Sequence, residues 1–514
     1  MDLVSYNNKI DKIMWDVLNN NTFTEKELNY IVNYVTDTLF LIDDTIDKKD
    51  IKPQVFYIIT QKYSKVYQYD FDSPWNTVQN KTPERIRTVL TESNYLNSET
   101  PLKSKIYSQK DLISKYYNYE NDKFSEKEYI RRKNRIVEIK KIPQHKQKSI
   151  EWLKQRSECL TATAVSTVLN EDPYAYPIEL LFAKCGMGKF VSNPYTHHGN
   201  KYEEIGTMFY SYRNNIQLEE YGLIQHAKTP FIGASPDGIC EKTTNDNKLS
   251  KLVGRLLEIK FPATRKINTT GDLDGDLCPH YYHLQVLTQL YVTELDECDF
   301  IQLKIEEYSS YDEYVKDTVP NFEGLALSTN LEKGCLIQLL PKKDISKAFT
   351  DPEEDASQCL YGAKYIYPPK LHMTFAEIEK WIATFTLNFH THKKSRKYMI
   401  DKVIYWKLSK VTCNLIKSQP SWYESILPQL EQFWDYVLFY RKNKDKFADL
   451  VQYVEKIGQE NSNTIFRKIN KDFLSQNPNS TYTPLYQELN VWREKYDKKK
   501  KFFEDLAKKK LQKL

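Results

Sequence analysis

Between Ser149 and Tyr308 the chain switches repeatedly between helical and strand periodicity, and no other feature limits its fold as much. EWLKQR, IELLFAKCG and EEIGTMFYSY repeat their apolar residues at helical spacing, and FIGAS and LVGRLLEIKF read as strands. HYYHLQVLTQLYV is helical again, and CDFIQLKIEEY returns to strand. Helices and strands interleaved in this way imply an α/β layer fold, with a central mixed sheet flanked by helices. The whole chain has 514 residues, which leaves room for two or three folding units or for one large unit with insertions.

The flanks have a different texture. Residues 1–145 are rich in Asn, Lys, Tyr and Ile, and Thr24 with Glu27 forms a capping box ahead of ELNYIVNYVTDTLFLI, so this region is expected to be mainly helical. It closes on the basic stretch Arg131–Lys148, which places a boundary near residue 145. The α/β domain is then expected over 146–445. VIYWKLSKVTCNLIK reads as a strand pair, followed by a helix with Ile426, Leu427, Leu430, Phe433, Trp434 and Val437 on one face. Residues 309–398, with the acidic TDPEED and the basic HKKSRK, read as an insertion, and 446–514 as a helical basic tail.

Composition excludes several classes. Hydrophobic residues make up 40% and aromatics 13%, which argues against disorder. No apolar run reaches the ~18 residues of a spanning helix, and MDLVSYNNKIDK lacks a signal-peptide core, so neither a membrane nor a secretory location is expected. The 8 Cys show no CxxC pair, the usage of reduced intracellular thiols. The net charge of +5, from 74 basic and 69 acidic residues, does not by itself mark a nucleic-acid protein. Lysine runs are more often solvated helix faces than binding sites.

Chemistry concentrates in Ser235-Pro236-Asp237-Gly238 and, downstream, Leu257-Glu258-Ile259-Lys260. Side chains two apart on a strand share a face, so Glu258 and Lys260 project together, away from Leu257 and Ile259. Asp237 lies in a turn that holds its carboxylate at a strand end, which suits a hard cation such as Mg²⁺ or Mn²⁺. Two carboxylates and a lysine near such a cation are the minimum apparatus for hydrolysing a phosphodiester. Taken singly, SPDG is an ordinary turn and LEIK an ordinary half-buried strand.

A turn supplying Asp, a strand supplying Glu-x-Lys and a helix carrying Gln285 together resemble the PD-(D/E)XK nuclease superfamily. The segments IPQHKQKSIEWLKQRSECLTATAVSTVL, HHGNKYEEIGTMFYSY, FIGASPDGICEK, LLEIKFP and YYHLQVLTQLYVTELDECDFIQ resemble, in order and spacing, its lambda-exonuclease or YqaJ-type viral recombinase branch. The likeness spans roughly Ile142–Leu303, with closing elements up to about Tyr440, and regions 1–140, about 309–398 and 446–514 have no counterpart. It implies a restriction-endonuclease-like core with mainly helical N- and C-terminal additions. It also implies Asp237 and Glu258 as metal ligands with the Ile259 carbonyl, Lys260 as the catalytic lysine, and Glu203 in the Gly199–Glu203 pattern as part of a second metal site, two ions in all. Glu204 beside it is expected to face solvent. Arg156 matches the residue that grips a terminal 5′-phosphate, and Thr163 and Ser235 match its hydroxyl donors; Thr163 also reads as a helix N-cap. The family often shows Gln-x-Gln, whereas here Gln289 follows Gln285 by one turn, which leaves open which glutamine acts. His197, His198, His280 and His283 are expected at the surface or facing substrate, not on metal.

The resemblance implies a metal-dependent exonuclease that degrades one strand of linear duplex DNA from its 5′ end, leaving a 3′ single strand for recombination or repair. An endonuclease on the same core and a DNA-binding protein with a decayed site are the rivals. Double-stranded DNA with 5′-phosphate ends is the implied partner, and a single-strand-annealing recombinase a further one. Minimal members of the family form toroidal trimers, an assembly that the additions here are expected to alter. The basic stretches Arg131–Lys148 and Lys498–Lys510 are candidate DNA-backbone contacts. The Lys, Asn, Tyr and Ile bias fits an AT-rich genome such as that of a large DNA virus, and the expected location is intracellular, in host cytoplasm or a viral replication compartment.

Overall fold

The computed structural model describes Val32 and residues 125–188, 194–244, 250–320, 322–342, 362–488 and 490–499. In chain order its elements are α1 (Glu126–Lys141), α2 (Ile150–Ser157), β1 (Leu160–Thr161), α3 (Ala162–Val168), α4 (Pro177–Phe182), α5 (Pro194–Asn214), β2 (Ile216–Glu219), β3 (Ile224–Gln225), β4 (Ile232–Ala234), β5 (Gly238–Thr243), β6 (Leu256–Lys260) and α6 (His280–Thr293). They continue with β7 (Glu297–Glu307), α7 (Tyr311–Lys316), β8 (Lys333–Pro341), β9 (Lys364–Ile366), α8 (Phe375–Asn388), β10 (Tyr398–Lys417), α9 (Pro420–Lys442), α10 (Lys444–Ile457) and α11 (Ser462–Leu474). The helix expected over ELNYIVNYVTDTLFLI lies outside the described residues except for Val32, and so do TDPEED and the end of the Lys-rich tail.

The strands form a seven-stranded sheet, ordered β2-β5-β6-β7-β10-β8-β9, and a three-stranded sheet, ordered β1-β4-β3. In the large sheet β6 and β7 run parallel, with Leu256 opposite Cys298 and Lys260 opposite Gln302, and the other pairs are antiparallel. Parallel neighbours need a crossover, which α6 supplies. Most of α6 is buried, as befits a helix that is apolar nearly all round and packs against the sheet, α3 and α9. On the other face lies α5. Gly206 brings it so close to β6 that a Cβ there would sit 2.7 Å from Ile259 Cγ2. The result is the expected α/β architecture: β6 is held between two helices, with Ile259 turned to α5 and Glu258 to α6.

Several boundaries fall differently from the sequence reading. VIYWKLSKVTCNLIK belongs to one 20-residue strand, not to a strand pair. It contains no turn chemistry, and register shifts between Ile400 and Lys402 and between Leu408 and Lys410 let one strand bend, pairing with β8 and then with β7. The insertion therefore extends the central sheet by β8 and β9. Helix α1 shares the main core through Ile136 and Ile139, as do α10 and α11 through Leu450, Val454, Ile465 and Phe466. The helix face expected in α9 is present, with Leu430, Phe433, Trp434 and Val437 buried and Ile426 and Leu427 packed against the same core.

The basic stretch Arg131–Lys148 is largely engaged inside the molecule. Arg131 pairs with Asp296, Arg132 with Glu128 at 2.8 Å and Glu297 at 3.3 Å, Arg135 with Glu138 at 2.9 Å, and Lys140 with Glu241 at 2.6 Å. Those partners, most of them distant in sequence, tie much of this stretch to the α/β domain. Among the described residues no helix is long and apolar enough to cross a membrane.

Candidate active site

The short segment Ser235–Asp237 leaves the small sheet at the end of β4 and enters the large one at β5. Pairing between β5 and β6 stops at Gly238 opposite Leu257, so the edge of β6 beyond that point faces Asp237. Asp237 Oδ2 accepts the Ile259 N–H at 2.7 Å. N–H and C=O of one strand residue leave on the same side, so the Ile259 carbonyl looks into the same opening.

Glu258 is 1% exposed. Its Oε1 accepts from Gln285 Nε2 at 2.6 Å and from the Lys260 ammonium, and its Oε2 accepts from Gln289 Nε2 at 2.6 Å. Both glutamines, one turn apart on α6, therefore hold the same carboxylate. An ionised carboxylate has about four lone-pair sites, so three donors leave roughly one acceptor position on Oε2. Gln289 Oε1, also buried, has no partner among the described residues.

Lys260 Nζ lies 4.6 Å from the Tyr282 ring centroid. Burial opposes its charge, but Glu258, Tyr282 and Asp237 outweigh that and hold its pKa above the ordinary lysine value. The Asp237 carboxyl is pushed well above the usual range, first by burial and then by Glu258, with Lys260 pulling the other way and Glu203 adding to the rise. The site thus favours an added positive charge. Glu203 reaches it from α5, half-exposed and 3.4 Å from Lys148 Nζ, whereas Glu204 is exposed as expected.

The second group of predicted residues gathers at the small sheet. Arg156, on α2, stacks over Trp152 at 4.5 Å, and Trp152 Nε1 donates to Ser235 Oγ at 3.3 Å. As an acceptor from Trp152, Ser235 keeps its own proton to donate. The parallel register of Thr161 with Gly233 places the start of α3 beside the end of β4. There Thr163 is exposed and 3.0 Å from the Thr161 hydroxyl, and the N-cap of α3 is Thr161 instead. Arg156 has no carboxylate partner among the described residues, and burial lowers its pKa.

Two residues that motif reasoning missed support this cluster. Lys184 Nζ donates to the carbonyls of Arg156 at 2.7 Å and Cys159 at 2.6 Å, and Arg441 donates to those of Lys184 at 3.0 Å and Ser157 at 2.6 Å. Burial lowers the Lys184 pKa to about 8. Nothing in their spacing could have signalled this, since Arg441 lies 257 positions beyond Lys184.

His280 and His283 are buried, which removes the surface from the two places expected for them, surface or facing substrate. His280 bridges Asp274 and Glu171, both at 2.8 Å, and stacks on Trp492 at 3.7 Å. His197 instead meets Tyr365 at 2.8 Å.

Among the described residues no group of three or more His, Cys, Asp or Glu side chains converges as a complete metal cage. Two carboxylates and a backbone carbonyl, all hard oxygen donors, fit a Mg²⁺ ion, which commonly takes one or two carboxylates and keeps several waters.

Residues 151–296 match the YqaJ-like viral recombinase domain. Along nearly its whole length the chain is also 50% identical over 530 aligned positions to the uncharacterized protein R354 of Acanthamoeba polyphaga mimivirus, covering 96% of this chain and 95% of that one. The chain belongs to the YqaJ-like viral recombinase family. A looser likeness joins this YqaJ-like protein to the alkaline exonuclease LHK-Exo of Laribacter hongkongensis. It has 16% identity and a TM-score of 0.31 over 59% of this chain and 100% of that one. The same exonuclease in complex with dAMP matches at 17% identity and the same TM-score of 0.31. Neither likeness is close enough to bear on function.

Proposed function

We propose that this YqaJ-like protein is a metal-dependent exonuclease that removes nucleotides from a 5′-phosphorylated end of duplex DNA and leaves a 3′ single strand. The observation that carries the reading is the Ser235–Asp237 segment, which joins the Arg156 cluster to the carboxylate site. Two residues span no more than about 7 Å. That leaves room for one nucleotide between a gripped terminal phosphate and the bond to be cut.

In this reading Arg156, braced on Trp152 and without a carboxylate partner among the described residues, takes the terminal phosphate in a charge-assisted contact, with Ser235 and Thr163 donating hydroxyls. Asp237, Glu258 and the Ile259 carbonyl would hold a divalent cation, Mg²⁺ or Mn²⁺, and Glu203 would reach a second. The chemistry such a cation supplies when bound is charge neutralisation at the phosphodiester and a more acidic attacking water. Gln285 and Gln289 hold the Glu258 carboxyl in place. Lys260 stays charged, and its ammonium orients the attacking water or stabilises the charge that develops on the phosphate.

The test uses linear duplex with 5′-phosphate ends and covalently closed circles, each incubated with Mg²⁺ and either wild type or Lys260→Ala. Loss of label from 5′ ends of linear DNA alone, abolished in the variant, is the expected outcome. Cleavage of circles would replace the reading with an endonuclease. No Lys260-dependent cleavage of either DNA would leave a DNA-binding protein.

A further inference from the structure

The insertion carries a feature that the active site does not use. Helix α8 turns Ile378 into a small core with Tyr314, Cys335 and Met373. A second stripe, Trp381, Thr384, Phe385 and Asn388, follows helical spacing and lines an open cleft of about 580 Å³ whose other wall is Thr391, His392 and Lys393. Phe385, Phe389 and His392 form an aromatic group with ring centroids 5.5 to 6.1 Å apart. Leu387 beside them is 74% exposed.

The charge around this cleft is one-sided. Lys393, Lys394, Arg396 and Lys397 are followed by a single acid over the same stretch, Asp401, which accepts from Gln338 at 2.8 Å. None of the four is in an ion pair among the described residues. Lys394 has its pKa lowered by burial and then by Lys364 and Lys393. Aromatic faces for stacking beside cations with no carboxylate to neutralise them are what sequence-tolerant binding of a single nucleic-acid strand requires.

The cleft is also joined to the candidate active site. Lys364 begins β9, and the next residue, Tyr365, meets His197 at 2.8 Å. Tyr367 donates to the Lys201 carbonyl at 2.9 Å. Both partners lie on α5, where Glu203 follows Lys201 by two residues, a rise of about 3 Å.

We infer that the cleft between Trp381, Phe385 and Lys393 binds single-stranded DNA, with bases against the aromatic rings and phosphates along Lys364, Lys393 and Lys394. Its assignment to the strand freed by digestion rests on the exonuclease reading; the binding itself does not.

The experiment measures fluorescence anisotropy of a labelled thymidine strand of about twenty nucleotides and of an abasic strand of equal length. The full chain carries Lys260→Ala and is kept in chelator, so that binding is read without hydrolysis. Replacing Trp381→Ala with Phe385→Ala should weaken the thymidine strand by about 5-fold or more, the loss of one stacked base, and leave the abasic strand unchanged. Lys393→Gln with Lys394→Gln, at the surface, should weaken both strands and reduce the salt slope by about 1.4. Parental affinity for thymidine in both variants would overturn the inference, as would an equal loss on the abasic strand in the aromatic variant. If the aromatic variant fails to fold, an unchanged salt slope in the lysine variant overturns it alone. Capture of an acidic peptide by a cleft that ignores both strands would assign the surface to a protein partner. A chain that cleaves DNA but fails this test loses only the cleft, and one that binds the strand without cleaving loses only the nuclease.

Discussion

Two buried charge clusters sit at the two ends of β6, and they are built to different rules. Just before the strand, Arg255 donates to Glu297 at 2.7 Å and Asp299 at 3.3 Å, Arg132 donates to Glu297 at 3.3 Å, and Tyr210 donates to Asp299 at 2.7 Å. Two cations meet two anions. At the far end two carboxyl groups, Asp237 and Glu258, face the single cation Lys260, and Glu258 keeps an unused acceptor position. Charge buried for architecture is balanced inside the protein. The other cluster is left short of one cation, and that shortage is the physical basis for proposing an ion there.

The sharpest way to break this contrast is to remove charge from each end and compare activity with stability. Glu258→Gln should lower cleavage of 5′-phosphorylated duplex by about 10²–10³-fold or more with little change in melting temperature. Arg255→Met should do the reverse: about 3–5 kcal/mol less stable in denaturant, because two carboxylates lose their cation, with the rate per folded molecule nearly kept. If both substitutions unfold the protein equally, the two clusters do not differ in kind.

Mg²⁺ sharpens the comparison further. At about 100 times its dissociation constant a bound ion stabilises by about 2.7 kcal/mol, so wild type should melt higher with Mg²⁺ than with chelator, and Asp237→Asn should remove that rise. The same variant without metal should be no less stable than wild type, since burial and Glu258 already disfavour the Asp237 charge.

The smallest effect is expected at His280, a third cluster nearer the rim. Burial works against its charge, but Asp274 and Glu171 outweigh it and raise the pKa. The stability it brings is complete below the ordinary imidazole value of about 6.5 and is lost as pH rises through the raised folded value. His280→Gln should flatten the fall in melting temperature above that pH. An unaltered pH profile would show the bridge to be inert.

What the sequence made legible is local. Glu258 and Lys260 share a face because strand geometry alternates, and the Pro236-Asp237-Gly238 turn announces itself in three residues. The crossover from β6 through α6 to β7 follows from the order of the patterns. Pairings across the fold were not legible. Arg132 meets Glu297 across 165 positions, and Trp492 covers His280 from the far end of the chain, a burial that its local spacing does not signal. The length of β10 was hidden for the opposite reason: a bulge leaves no Gly, Pro or Asn signature in Leu408-Ser409-Lys410, and fifteen residues of strand pattern read naturally as a hairpin.

That long strand makes the insertion hard to excise. Residues Tyr398–Lys407 pair with β8 on one side, and from Trp406 onward the same strand pairs with β7 on the other. A truncation that removed β8 and β9 would strip the neighbour from the first half of β10 and leave a row of unsatisfied amides and carbonyls, the template from which strands recruit other chains. Shortened versions of this protein are therefore expected to fail first by self-association, visible in light scattering before any unfolding transition, unless the cut also takes the first half of β10.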